Sequence, residues 1–156
     1  MDFKVFMTKI EILNEKEGNE FRQKYIKKFV DTKHELYQKQ ILSRQKFLDG
    51  YCYLGYLWDY IKNPIIIEKE YLTALVPKVK EVYVFWDIHS CERIFITDYW
   101  KFDKDAVLKS DLKILLEGEE CLPEDIYIFD ASMTWTLIKT HEDIEGKCYC
   151  LKSGTI

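Results

Sequence analysis

The stretch "YIFDASMTWTLIKTHED" (residues 127–143) holds the side chains best suited to chemistry: Asp130, His141 and Glu142. A histidine beside a carboxylate is the pairing that general acid–base catalysis uses. It also needs a third group and a pocket, and the neighbouring pattern supplies neither. His141 reads instead as the polar end of a strand, "TWTLIKT", ordering the next turn. Cys148 and Cys150, with His141, offer soft metal ligands. Their C-x-C spacing is not the C-x₂-C of common zinc sites, and no second cysteine pair is in range. Residues two apart on a strand face the same side, so these read as two small apolar thiols on a core face. In "WDIHSCE", Asp87, His89 and Cys91 supply a cysteine–histidine pair for nucleophilic chemistry, but proximity in sequence is not contact in space. The chain has only six glycines, with no phosphate loop, no G-x-S-x-G and no H-E-x-x-H. The expectation is no catalytic set, no metal and no cofactor.

Positioning these residues falls to two kinds of segment. Helical periodicity runs through residues 14–76. In "NEKEGNEFRQKYIKKFV", Phe21, Tyr25 and Phe29 share one face. "DTKHELYQKQILSRQKFLDG" predicts a second helix, with Leu36, Tyr37, Ile41 and Leu48 inward. "YCYLGYLWDYIKNP" predicts a third, stopped by Asn63-Pro64, and "IEKEYLTALVP" a short fourth. "MTKIEIL" reads as a short strand before them. Residues 79–151 are sheet-rich. "KEVYVFWDIHSCERIFITDYW" predicts two strands, "DKDAVLKSDLKILLEGEE" a helix capped by Asp103 and ended near Gly118, and "EDIYIFD", "TWTLIKT" and "GKCYCLK" an antiparallel meander. The fold class is therefore α+β, a single domain with N-terminal helices packed on one face of a mainly antiparallel sheet.

Composition excludes several functions. The chain has 156 residues, nearly half of them hydrophobic, enough for one real core. Its eleven Tyr, nine Phe and four Trp fill that core or dress an interaction surface. The net charge of −4 is unevenly spread. Residues 1–80 carry 15 basic and 11 acidic side chains; residues 81–156 carry 8 and 16. The acids concentrate in "EGEECLPED" and "HEDIE". Such a half repels nucleic acid and attracts a basic protein. The basic run "RQKYIKKF" turns its aromatics to the core, so it is not a nucleic-acid surface. No secretory signal or membrane span is evident. Five irregularly spaced cysteines then suggest a cytoplasmic protein with reduced thiols.

"GYLWDYIK" (55–62), "VYVFWDIHS" (82–90) and the ending quoted first resemble small cytoplasmic proteins of Gram-positive bacteria in domain-of-unknown-function families. Similar endings recur among immunity proteins of polymorphic toxin systems. The matching positions are Asp130, Ser132, Trp135, Thr140, His141 and Glu142. The resemblance implies neutralisation of a cognate toxin by binding, without catalysis. For such a role the acidic half suggests Glu119, Glu120, Glu124 and Asp125 as rim contacts, and the stretch "TDYWKFD" offers Tyr99 and Trp100 as anchors, facing a basic toxin domain. The alternatives are a small enzyme using His141, Glu142 or Asp130, and a structural or regulatory module that dimerises through an aromatic face.

Overall fold

The structure is a computed structural model that describes residues 1–43 and 45–156. Its frame is a seven-stranded sheet in which each neighbouring pair is antiparallel. The strands are β1 (Glu11–Ile12), β4 (Ile65–Ile67), β5 (Glu81–Trp86), β6 (Leu108–Asp111), β7 (Ile126–Phe129), β8 (Trp135–Ile144) and β9 (Lys147–Gly154), in the order β1-β6-β5-β7-β8-β9-β4. A separate hairpin pairs β2 (Gln45–Phe47) with β3 (Gly50–Cys52).

The central strands are buried on both faces, and alternation sorts their side chains into two cores. Tyr83, Phe85, Tyr127, Phe129, Ile138 and Leu151 point one way, onto Tyr25 and Phe29 of α2 (Glu15–Phe29). Val82, Val84, Trp86, Ile126, Ile128, Trp135, Leu137 and Cys150 point the other. There they meet Phe6 of α1 (Phe3–Met7), Leu72 and Leu75 of α4 (Lys69–Leu75), and Leu112 and Leu115 of α5 (Leu112–Glu117). Helices thus contribute to the cores on both faces, where one was expected. The aromatic surplus largely fills the first core. Tyr25 lies 4.8 Å from Phe85 and 5.2 Å from Phe129, ring centre to ring centre. Its hydroxyl meets Thr136 Oγ1 at 2.7 Å.

Helix α2 forms as its pattern predicts, with Asn14 Oδ1 accepting from Glu17 N at its start. The next predicted helix forms only over its first half. After α3 (Glu35–Tyr37) and a π turn (Gln38–Leu42), the chain reverses through the β2–β3 hairpin, leaving Leu48 93% exposed. Tertiary bonds override helix propensity here. Asp49 accepts from Ser90 Oγ at 2.7 Å and Cys91 N at 2.8 Å, and pairs with Lys104. The third predicted helix is reduced to a 3₁₀ turn at Leu57–Tyr60. Before it, Leu54 N and Gly55 N both donate to Gln40 O, at 2.8 and 3.1 Å. The second strand predicted within 79–100 is absent; residues 91–100 form turns and extended connections. Residues 103–118 split into β6 and α5, capped by Asp111 rather than Asp103. Gly118 does end α5, and a Cβ there would lie 2.4 Å from the Phe6 ring.

The meander β7-β8-β9 forms as expected, and its register sets Ile128 opposite Leu137 and Phe129 opposite Thr136. Trp135 is buried in the second core and its Nε1 donates to Asp130 Oδ2 at 3.1 Å. Trp135→Ala should lower unfolding free energy by about 3–5 kcal/mol, read from the urea midpoint at constant m-value. A loss below about 1 kcal/mol would contradict this packing.

Candidate functional site

The suggestive residues of two separate stretches meet at one end of the central strands. The device that joins them is a bulge. Pairing between β8 and β9 shifts register between Lys139 and Asp143, so Thr140, His141 and Glu142 leave the ladder. Thr140 Oγ1 donates to Tyr149 O at 2.7 Å and accepts from Glu142 N at 3.2 Å. The bulge turns His141 onto Asp125, just before β7. Its backbone N and its Nδ1 both lie 3.0 Å from Asp125 Oδ1. The same oxygen accepts from Trp58 Nε1 at 3.0 Å.

Asp87, one residue beyond β5, makes the second anchor. It is buried and accepts from Tyr127 Oη at 2.7 Å and from Leu57 N at 3.0 Å. Tyr127 Oη in turn accepts from Trp58 N at 2.9 Å. Tyr56 fills the space between the anchors. Its ring stacks on Trp58 and lies 4.5 Å from His89 and 5.0 Å from His141. His89 Nε2 meets Gly55 O at 2.8 Å. Beneath the group, buried Arg22 of α2 donates to Trp86 O at 3.0 Å, with its guanidinium 4.5 Å from the Phe85 ring centre.

The electrostatics follow from this packing. Burial pushes the Asp87 carboxyl up to about 8, against the bonds from Leu57 N and Tyr127. Burial, the largest single effect, would lower His141, but its bond to Asp125 and the charges of Asp125, Glu142 and Glu124 together outweigh that, and its pKa is raised. His89 is lowered, chiefly by burial. Asp125 fixes the His141 ring and leaves Nε2 toward Glu142 Oε1 at 3.6 Å, the arrangement of an oriented acid–base group.

Other expected residues lie elsewhere. Asp130 and Ser132 build the β7–β8 turn, where Asp130 Oδ1 accepts from Ser132 N at 2.9 Å. The motif of resemblance is thus two structural devices, a turn and a bulge, at different points of β8. Cys91 is exposed, and its pKa is raised, first by its bond to Asp49, so it is not an activated thiolate beside His89. Cys148 and Cys150 lie 3.5 Å apart, sulfur to sulfur, in the second core, whereas His141 faces Tyr56 and Trp58. Among the described residues no three His, Cys, Asp or Glu side chains are grouped to hold a metal.

The expected partner contacts divide. Tyr99, Glu119, Glu120 and Glu124 line one open groove of about 570 Å³ with Ile96 and Leu122. Asp125 does not belong to that rim: it is buried beneath His141 and Trp58. Glu119 is half-buried and pairs with Lys69 at 2.8 Å and Lys139 at 3.2 Å. Trp100 packs onto the second core, with Tyr99 edge-on to it at 5.0 Å. Tyr56, Trp58, Tyr127 and Arg22 were not expected at a site. Arg22 had a signal, since it falls three and seven residues before the core residues Tyr25 and Phe29, on their helical face.

The fold and the cluster define a compact α+β domain with a buried polar clasp, and among the described residues no helix is long and apolar enough to cross a membrane. The chain belongs to the domain-of-unknown-function family DUF4275, whose model matches residues 3–150. No curated protein and no solved structure matches it.

The clasp makes stability depend on pH. Unfolded Asp87 ionises near 3.8, whereas the folded carboxyl holds its proton to about 8. Between those values the folded state binds more protons, so this group's contribution falls as pH rises. His141, also raised, acts in the same direction; His89, lowered, acts in the opposite one. Urea unfolding should show stability declining from pH 5 to 8, with a slope from Asp87 of up to about 1.4 kcal/mol per pH unit. Asp87→Asn should flatten the profile; an unchanged slope would show that Asp87 titrates normally.

Proposed function

We infer that this chain is a non-catalytic binding protein of the bacterial cytoplasm that neutralises a basic toxin domain by occupying its surface. The observation that carries the reading is the convergence of Tyr99, Glu119, Glu120 and Glu124 on one groove. Their acids come from the chain's acidic half and outnumber the groove's two lysines, Lys101 and Lys139, while Ile96, Leu122 and Tyr99 add apolar surface. Acids at a rim steer a cationic partner and set its association rate, while buried aromatics hold it. The polar groups of the clasp support the same reading from the other side. Asp87, Asp125 and His89 are all bonded within the protein.

A second reading rests on His141, whose Nδ1 is oriented by buried Asp125 and whose Nε2 lies near Glu142. As an enzyme the chain would use that nitrogen as acid or base. The test for both is co-expression with a toxin-like domain encoded by a neighbouring gene, and a neighbourhood without one removes the immunity reading. Wild type should protect the cells. Glu120→Lys with Glu124→Lys should slow association about 3–10-fold at low salt and less at high salt. Glu119 and Asp125 are left intact because they bond to other elements of the sheet domain, whereas Glu120 pairs with the Met1 amino group at the start of the chain. His141→Gln should protect as well as wild type. Loss of protection in that variant, with folding and binding intact, moves the function to the enzyme reading. Death of cells holding abundant folded wild type removes the immunity reading.

A further inference from the structure

Strand β9 carries two thiols on one face with a single residue between them. Cys150 is buried, and its S–H donates to Cys148 Sγ at 3.5 Å. Cys148 is half-buried and reaches solvent, because it lines a groove of about 280 Å³ with Ile67, Ile144 and Tyr149. One thiol is open to a small solute and the other lies behind it. The strand is also least constrained between them. Lys139 lies opposite Cys150 and Asp143 opposite Cys148, so the bulge in β8 leaves Tyr149 without a ladder partner there among the described residues. On the other side β4 pairs only with Cys150 to Lys152. Alternate residues of a strand are about 6.6 Å apart at Cα, near the upper limit of about 6.8 Å that a disulfide spans. A small pucker at Tyr149 closes that gap, and no ladder pair at that residue resists it.

We propose that Cys148 and Cys150 are a site of reversible oxidation, in which a hydroperoxide converts the dithiol to an intrachain disulfide. Cys148 Sγ attacks a peroxide oxygen and the O–O bond breaks. The alcohol or water leaves with the thiol proton, and Cys148 becomes a sulfenic acid. Cys150 Sγ then displaces the hydroxyl from the Cys148 sulfur, its proton departs with that hydroxyl as water, and the S–S bond forms. The two thiols give up two electrons and the peroxide takes them. Burial, together with neighbouring Cys148, pushes the Cys150 thiol up to about 12, so Cys150 resolves the sulfenic acid rather than attacking first. The surroundings favour anionic sulfur over a bound metal cation. Directly opposed residues of an antiparallel pair share a face, so Lys139 stands beside Cys150, and the charge of Lys69 acts on it as well. Glu119 pairs with both lysines, one acid against two ammonium groups. Cationic neighbours promote thiolate chemistry. A bridge across one strand residue is strained, and strained disulfides are readily reduced, which makes the step reversible. No toxin partner takes part, so the test stands apart from the immunity reading.

Hydrogen peroxide at a few equivalents, added to the native chain, should remove both thiols of this pair from its five cysteines. Peptide mapping without reductant, after alkylation and unfolding, should show Cys148 bridged to Cys150 with the loss of two hydrogens. Dithiothreitol should restore both thiols. Cys150→Ser should instead hold Cys148 as a sulfenic acid, trapped by dimedone, and Cys148→Ser should leave the Cys150 thiol unoxidised. The wild-type map decides the question even if a serine variant folds poorly. Recovery of both residues as alkylated thiols overturns the site, and so does Cys148 oxidised to sulfinic acid without a bridge. Equal dimedone labelling of Cys148 in wild type and Cys150→Ser overturns it too, because Cys150 would then not be the resolving thiol.

Discussion

The constraint from which the rest follows is burial of the central strands on both faces. A sheet with one wet face can leave polar side chains in water. Strands β5, β7 and the first part of β8 cannot. Each polar group placed there must find a partner inside the protein or cost about 1–3 kcal/mol. Thr136 meets that demand with Tyr25 and with Ile128 O. Asp87 meets it with Tyr127 and Leu57 N. Among the described residues Trp86 Nε1 and Arg22 Nε are buried without a partner, so the solution is not complete.

These satisfying bonds reach beyond the sheet. Residues 53–61 form one short 3₁₀ turn and otherwise irregular backbone, yet Tyr53, Leu57, Tyr60 and Ile61 are buried. Irregular backbone needs partners for its own N–H groups. The strand ends supply them: Asp87 takes Leu57 N, Tyr127 takes Trp58 N, and Ile88 O takes Tyr53 N at 2.6 Å. Asp125 adds the indole of Trp58. The bulge in β8 belongs to the same solution, because without it His141 would follow the ladder instead of closing over Asp125. The features that look catalytic in the sequence are thus also those that attach an irregular segment to a sheet.

Legibility divides along the same line. Local pattern decided α2, α4, the meander and the face alternation of Trp135 and Leu137, because periodicity and burial agree there. It failed over residues 31–63. There the spacing of Leu54, Leu57, Trp58 and Ile61 is helical, but long-range bonds choose otherwise. Leu36 and Leu48, expected inward, are exposed, whereas Tyr37 and Ile41 are buried. At the site, His141 was visible as a polar residue after an apolar strand. Its partner Asp125 looked like one more acid in "EGEECLPED". Charge counted along a chain does not distinguish an acid in water from one beneath a tryptophan, and only pairing in space does.

That distinction reshapes the acidic half. Its excess of acids is not a uniform field, since Asp125 is buried, Asp130 is held in a turn and Glu119 bridges two lysines. Glu120 and Glu124 are exposed at the groove, beside Tyr99. Glu120 pairs with the Met1 amino group at 2.6 Å, and Lys101 and Lys139 line the same groove, so its field is weaker than the composition suggests and is screened within about 8 Å at physiological salt. In the proposed binding role, affinity then comes from apolar surface. The groove offers Ile96, Leu122 and Tyr99, while Phe95 stands 92% exposed next to Ile96. In that proposed role, the exposed phenylalanine beside a groove of mixed charge and apolar surface would carry the binding, and charge would select the partner. The clasp at residues 54–61 needs no partner to be complete; the groove, with its apolar walls in water, gains most from one.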